Sequence, residues 1–198
     1  ATPEELKIIS ANSSKVLEHL LLDKNNSSSV LNNVTRAREN ARAVQDHITK
    51  EVWQCLNDYY HLIRDKQIHF QVTQGDPVTA MDSLIHNGML YHGIVDVTMA
   101  RGEGFTYLNI GKFLERAILS TDMLNIKLTE LNYELHHPAE VPALRYLLYS
   151  LSGYEFYLKT HRGNFQAEPV LHQIIYNDAF PHSLSYCLKQ LLRYFERL

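Results

Sequence analysis

Glycine and proline are scarce, and neither occurs between residue 4 and residue 74. A chain built from strands and tight turns would need them there, so the first third reads as helical. Cysteine is rarer still: Cys55 and Cys187 are the whole supply. Two cysteines make no disulfide framework and no Cys/His zinc pattern, and they suit a reducing, cytoplasmic setting as small core residues. No apolar run approaches the ~18 residues of a membrane span. The opening Ala1-Thr2-Pro3-Glu4 has no basic stretch before an apolar one, so it is not a signal peptide. It also lacks a Met, as in a processed or shortened chain. Positive charge is not in excess, since the formal net charge is −3 with histidines neutral. That argues against gripping a nucleic-acid backbone. Phosphate-loop, dinucleotide and nucleophile-elbow patterns are missing too. The 198 residues, 45% hydrophobic and 21% charged, fit a single soluble domain spanning 1–198 that needs neither metal nor disulfide to fold, and no cofactor is assigned.

What is present is helical periodicity. Leu6, Ile9, Val16, Leu17, Leu20 and Leu21 share one face. Val30, Val34, Ala37, Ala41, Val44 and Ile48 recur at three and four residues, and Val52, Cys55, Leu56, Tyr59, Leu62 and Ile63 continue the stripe. A break is expected over 46–49, where polar residues compete as caps, and one bent helix over 29–65 is the alternative. Asp76-Pro77 opens a helix to Met99. After Arg101-Gly102-Glu103-Gly104, a long helix runs from Phe105 to Leu135, before Pro138. Further helices are expected over 141–160, with a kink at Gly153, and over 168–176 and 182–198. Residues 67–73 read as a loop. The fold class is therefore all-α, an antiparallel helical bundle. It carries an internal pseudo-repeat: Leu20-Leu21-Leu22-Asp23 leading to Ser29, and Ile174-Ile175-Tyr176-Asn177 leading to Ser183.

Three segments concentrate charge. In Arg36-Ala37-Arg38-Glu39-Asn40-Ala41-Arg42, the alanines allow close helix approach, while Arg38 and Arg42 repel each other at four-residue spacing. Glu39 satisfies one arginine, which leaves another for a carboxylate or phosphate, with Asn40 in support. In Gly111-Lys112-Phe113-Leu114-Glu115-Arg116-Ala117, Glu115 shares a side with Leu108, Leu119 and Ile126 and is expected to be buried. Asn109, Lys112, Ser120 and Lys127 would then face solvent. A buried Glu115 needs an arginine partner, and Gly111 leaves room for one. In Met99-Ala100-Arg101-Gly102-Glu103-Gly104-Phe105, a corner holds Arg101 and Glu103 near a helix start. The competing reading of each segment is plain: a solvated face, a structural ion pair, a turn.

His92 and Asp96, four apart beside Met81, Ile85, Gly88, Val95 and Met99, read as a hydrogen-bonded core pair. Asp58-x-x-His61 and Glu134-x-x-His137 have the spacing of di-metal helical sites, but both flank rather than lie on an apolar stripe or sit at a helix end, so no metal is assigned.

Together these segments resemble the bacterial alpha-E family, a helical domain named for its Glu-Arg pair. The likeness runs through Leu21-Leu22-Asp23 to Ser29, the 36–42 and 99–105 segments, and Leu108 to Ala117 with Gly111, Glu115 and Arg116. It covers 18–120 well and the remainder more loosely. The family pattern has an earlier helix with its own Gly-x-x-x-Glu-Arg, so the resemblance implies an N-terminally shortened fragment. It also implies companions: circularly permuted ATP-grasp proteins and transglutaminase-like proteins, hence amide-bond formation or peptide modification. The expectation is an accessory module of an ATP-grasp-type ligase whose Arg36, Arg38, Arg42, Arg101 and Arg116 hold an anionic peptide or phosphate. The alternatives are an enzyme with Glu115 or Glu103 as acid–base group, and a structural domain with buried ion pairs.

Overall fold

The computed structural model describes residues 3–134, 140–162 and 165–198. Eleven α-helices and one short 3-10 turn occur among them, and no strand. The chain divides into two compact units, Ala1–Arg101 and Gly102–Leu198.

The first unit holds α1 (Pro3–Ser10), α2 (Ser13–Leu21), α3 (Val30–Ala43), α4 (Lys50–Ile63), α5 (Lys66–Thr73) and α6 (Pro77–Thr98). The stripe of residues 6–21 is two helices rather than one, because Asn12 ends the first and caps the second, accepting from the Ser14 and Lys15 amides. The break over 46–49 is real: Gln45–His47 tightens into a 3-10 turn and Thr49 caps α4 through the Val52 amide. Residues 67–73 are helical, against the loop expectation. Asp65 caps α5, and Ile68 and Val72 are buried one turn apart. A short amphipathic stretch like this gets its helicity from tertiary burial, which propensity does not reveal. Ile68 and Val72 pack with Leu22, Leu31, Val34, Ile63, Ala80 and Leu84. α4 lies between α3 and α6, and a 2.8 Å bond joins the Thr49 and Thr98 hydroxyls.

The second unit holds α7 (Glu103–Glu130), α8 (Glu140–Ser150), α9 (Tyr154–His161), α10 (Ala167–Ile175) and α11 (Leu184–Phe195). α7 and α11 pack along their lengths, with Phe113 stacked on Tyr194 and edge-on to Tyr186. A second cluster joins Leu124 to Leu144, Leu147, Leu148, Tyr157, Val170, Ile174 and Phe180. The expected kink at Gly153 is a full break between α8 and α9. Ser152 takes φ 54°, and a Cβ on Gly153 would come within 2.7 Å of Phe180 Cζ. The sequence expectation that α7 extends to Leu135 falls partly outside the described residues; the helix itself ends at Glu130.

The turns α2–α3 and α10–α11 share a set of backbone hydrogen bonds at one constant offset. Leu22 N donates to Glu18 O and Tyr176 N to His172 O, each at 2.8 Å. Asp23 N donates to the same Glu18 carbonyl at 3.1 Å, and Asn177 N to His172 O at 3.2 Å. Ser29 and Ser183, both wholly buried, cap the following helices through the Asn32 and Tyr186 amides.

Candidate functional site

Arg38, one of the expected anion-binding arginines, is largely enclosed, its side chain 20% exposed. Its guanidinium lies 4.6 Å from the Tyr60 ring centre and 5.4 Å from that of Trp53. Nε donates to Asn57 Oδ1 at 2.8 Å, and the Glu39 carboxylate stands 3.4 Å away. All three helix-crossing partners sit on α4, so Arg38 ties α3 to α4 through stacking and a charged hydrogen bond. Glu39 therefore serves Arg38 rather than Arg36 or Arg42.

Arg36 and Arg116 have equivalent tasks in the two matched turns. Arg36 donates to the Ser27 carbonyl and to Asn33 Oδ1, and Asn33 Nδ2 donates to the Ser28 carbonyl at 3.1 Å. Arg116 donates to the Pro181 carbonyl at 3.2 Å, and Ser120 Oγ to the His182 carbonyl at 2.9 Å. Ser27 and Ser28 occupy in the first turn the places of Pro181 and His182 in the second. In one unit the turn is closed by its own following helix, in the other by α7. Arg101 donates to the backbone carbonyl and the carboxylate of Asp96, at 2.7 and 3.1 Å. Asp96 is thus the partner of Arg101, and both His92 and Asp96 are exposed rather than core. Arg42 and Asn40 are exposed on α3, and Arg42 carries no ion pair among the described residues. Arg36, Arg38, Arg42 and Arg101 belong to the first unit; Glu103, Gly111, Glu115 and Arg116 belong to the second.

The burial expected for Glu115 is not found. Glu115 is exposed, as are Leu119 and Ile126 beside it, and the packed face of α7 is the opposite one. Asn109 and Ser120, expected in solvent, are buried. The reason is that both polar groups are satisfied there: Asn109 Nδ2 donates to Phe105 O at 2.8 Å, and Ser120 reaches the His182 carbonyl. α7 is apolar on two sides, so periodicity alone does not select the covered one. The uncovered side carries Tyr107, Leu114, Ile118, Leu119 and Ile126 around Glu115, all close to or above half exposed. Gly111 lies in that surface, and a Cβ there would meet nothing within 4 Å. Glu103 is exposed in the first turn of α7, where its charge complements the helix dipole.

Arg116 also shapes its surroundings. Burial, then the nearby guanidinium, holds the His182 imidazole below its ordinary pKa. Burial raises the thiol pKa of Cys55 and of Cys187, so neither is an activated nucleophile. Asp58 and His61 are both exposed, and among the described residues no group of three or more His, Cys, Asp or Glu is placed to hold a metal. The other di-metal spacing includes His137, which lies outside the described residues. No helix of the described residues is long and apolar enough to cross a membrane.

Sequence reasoning passed over one pair. His19 Nδ1 and Asp23 Oδ2 are 2.8 Å apart beside a cavity. Their four-residue spacing was the available signal.

The chain belongs to the Alpha-E family, described as a predicted alpha-helical domain with a conserved ER motif, whose model matches residues 2–198. Two Glu-Arg pairs occur in it, Glu115-Arg116 and Glu196-Arg197. No curated protein and no solved structure matches the chain.

Proposed function

We propose that the chain is a non-catalytic helical module that docks an ATP-grasp-type peptide ligase through the uncovered face of α7. One observation carries this reading: Glu115 stands in an exposed apolar surface with Leu114, Ile118 and Leu119, next to the unfilled space at Gly111. Contiguous exposed apolar surface rimmed by charge is how protein interaction sites present themselves. A mid-helix glycine costs roughly 1 kcal/mol against alanine, and close approach of a partner backbone offsets that cost. The kind of partner proposed is the one the resemblance implies, with a transglutaminase-like protein as the other candidate.

The same reading assigns the arginines mainly to structure. Arg36, Arg38 and Arg116 hold carbonyls, rings and two asparagines, which supports the structural account of those three. Arg42 is left to engage a carboxylate or phosphate of the peptide being joined. Two buried, free cysteines are compatible with a cytoplasmic location.

Co-purification of the chain with an ATP-grasp ligase from the same organism tests the proposal. Leu114→Asp with Ile118→Asp should abolish capture while the circular dichroism spectrum stays helical. Undiminished capture by that double variant overturns the face. Turnover of a peptide by the isolated chain overturns the non-catalytic role.

A further inference from the structure

We infer that the cavity beside α2 and α5 binds a small zwitterion, an amino acid or a short peptide. The inference does not depend on the α7 surface or on the ligase. The cavity measures about 490 Å³, within the range of small-ligand pockets. Its polar rim is Lys15, Glu18, His19, Asp23, Lys24 and His69, and Ile9 and Leu22 supply apolar wall.

The rim is built rather than incidental. Asn26 Nδ2 donates to the His19 carbonyl at 3.0 Å and fixes the end of α2. Asp23 Oδ1 accepts from the Asn25 amide and Oδ2 faces His19 Nδ1, both at 2.8 Å. Both carboxylate oxygens are thus occupied within the protein. The Asn25 amide, with His19 as a further cause, lowers the Asp23 pKa and keeps it ionised. An imidazole held by a carboxylate at Nδ1 has a fixed orientation and keeps Nε2 for another partner. The His19 side chain is 15% exposed, so that orientation is enforced by packing as well. His69 faces the same space from α5.

Among the described residues lining the cavity, two ammonium groups, Lys15 and Lys24, stand with two carboxylates, Glu18 and the His19-bound Asp23. A simple anion would pair with the lysines but meet Glu18. A simple cation would meet the opposite mismatch. A molecule with a carboxylate, an ammonium and a modest apolar body satisfies the lysines, Glu18 and the Ile9–Leu22 wall together.

The test is an NMR titration of the full chain with L-alanyl-L-leucine, following the His19 and His69 imidazole signals and the Asn25 amide. Parallel titrations use the N-acetylated dipeptide, the C-terminal amide and inorganic phosphate. Free dipeptide should shift those signals saturably, and each blocked form should bind about tenfold more weakly. Lys24→Gln, an exposed change outside any helix, should weaken binding several-fold and leave the spectrum otherwise intact. His19→Gln should do the same, but Lys24→Gln decides the matter if His19→Gln disturbs α2. Absence of saturable shifts, equal binding of the blocked forms, or equal shifts with phosphate overturns the inference.

Discussion

At the scale of single residues, Arg38 shows how a side chain that looks like a ligand-binder becomes a clamp. Its guanidinium stacks on Trp53 and Tyr60 and donates to Asn57. Lysine keeps the charge but not the plane or the Nε donor, so it is a poor replacement. Arg38→Lys and Arg38→Ala should each lower stability by about 1–2 kcal/mol, measured by urea unfolding. Glu115→Ala, at an exposed position, should stay within about 0.5 kcal/mol of the parent. The sequence brought Arg38 to notice because of its charged neighbours. It did not reveal the clamp, because Trp53, Asn57 and Tyr60 come from the next helix and only the α3–α4 packing brings them near. Gly153 is the reverse case, singled out in sequence as a kink and found at a contact. Gly153→Ala would push a Cβ against Phe180 Cζ at 2.7 Å and Gln173 Nε2 at 2.9 Å, both on buried side chains. It should cost about 1–3 kcal/mol, seen as a lower midpoint in the same unfolding assay.

At the scale of elements, most helices were legible because caps and periodicity agree. Asp76-Pro77 opens α6 as its chemistry dictates, with the Asp76 carboxylate accepting from the Val78 amide. Two decisions were not legible. The helicity of α5 depends on burying Ile68 and Val72 against residues far along the chain. The packed face of α7 depends on Ser120 and Asn109 finding acceptors, which turns a polar-looking stripe inward. The same limit applied to Ile85, placed in a core stripe on spacing but exposed on α6. The matched turns offer a direct comparison of two caps. Ser29→Ala and Ser183→Ala each remove a buried hydroxyl that caps a helix, and each should cost about 1 kcal/mol. Ser183 should cost more, because its hydroxyl also donates to the Asn177 carbonyl at 2.6 Å. Chemical denaturation of the two variants side by side reads that difference.

At the scale of the whole chain, charge and burial set the response to pH. The His182 pKa is lowered by burial and then by Arg116, so the folded state binds a proton less readily than the unfolded one. Its contribution to stability is therefore present above the ordinary histidine range and is lost as pH falls through it. Asp178, held low by Lys189 and Ser185, works in the same direction further into acid. The urea midpoint should fall from about pH 7 to about pH 5, and His182→Gln should flatten part of that slope. An unchanged slope would remove His182 from the account.

The family, the helical class and most element boundaries were accessible from the sequence, because they follow from local pattern. Which charged groups face solvent was not, because that depends on which of two apolar faces of a helix finds a partner. That choice underlies the proposed role of α7, and Gly111→Ala interrogates it. Alanine at this open, mid-helix site should raise the stability of the chain by about 0.5–1 kcal/mol. If a ligase backbone packs there, the same methyl should weaken the affinity for the ligase, measured by calorimetry, by about tenfold. A variant that is more stable and binds the ligase as tightly as the parent would contradict the account.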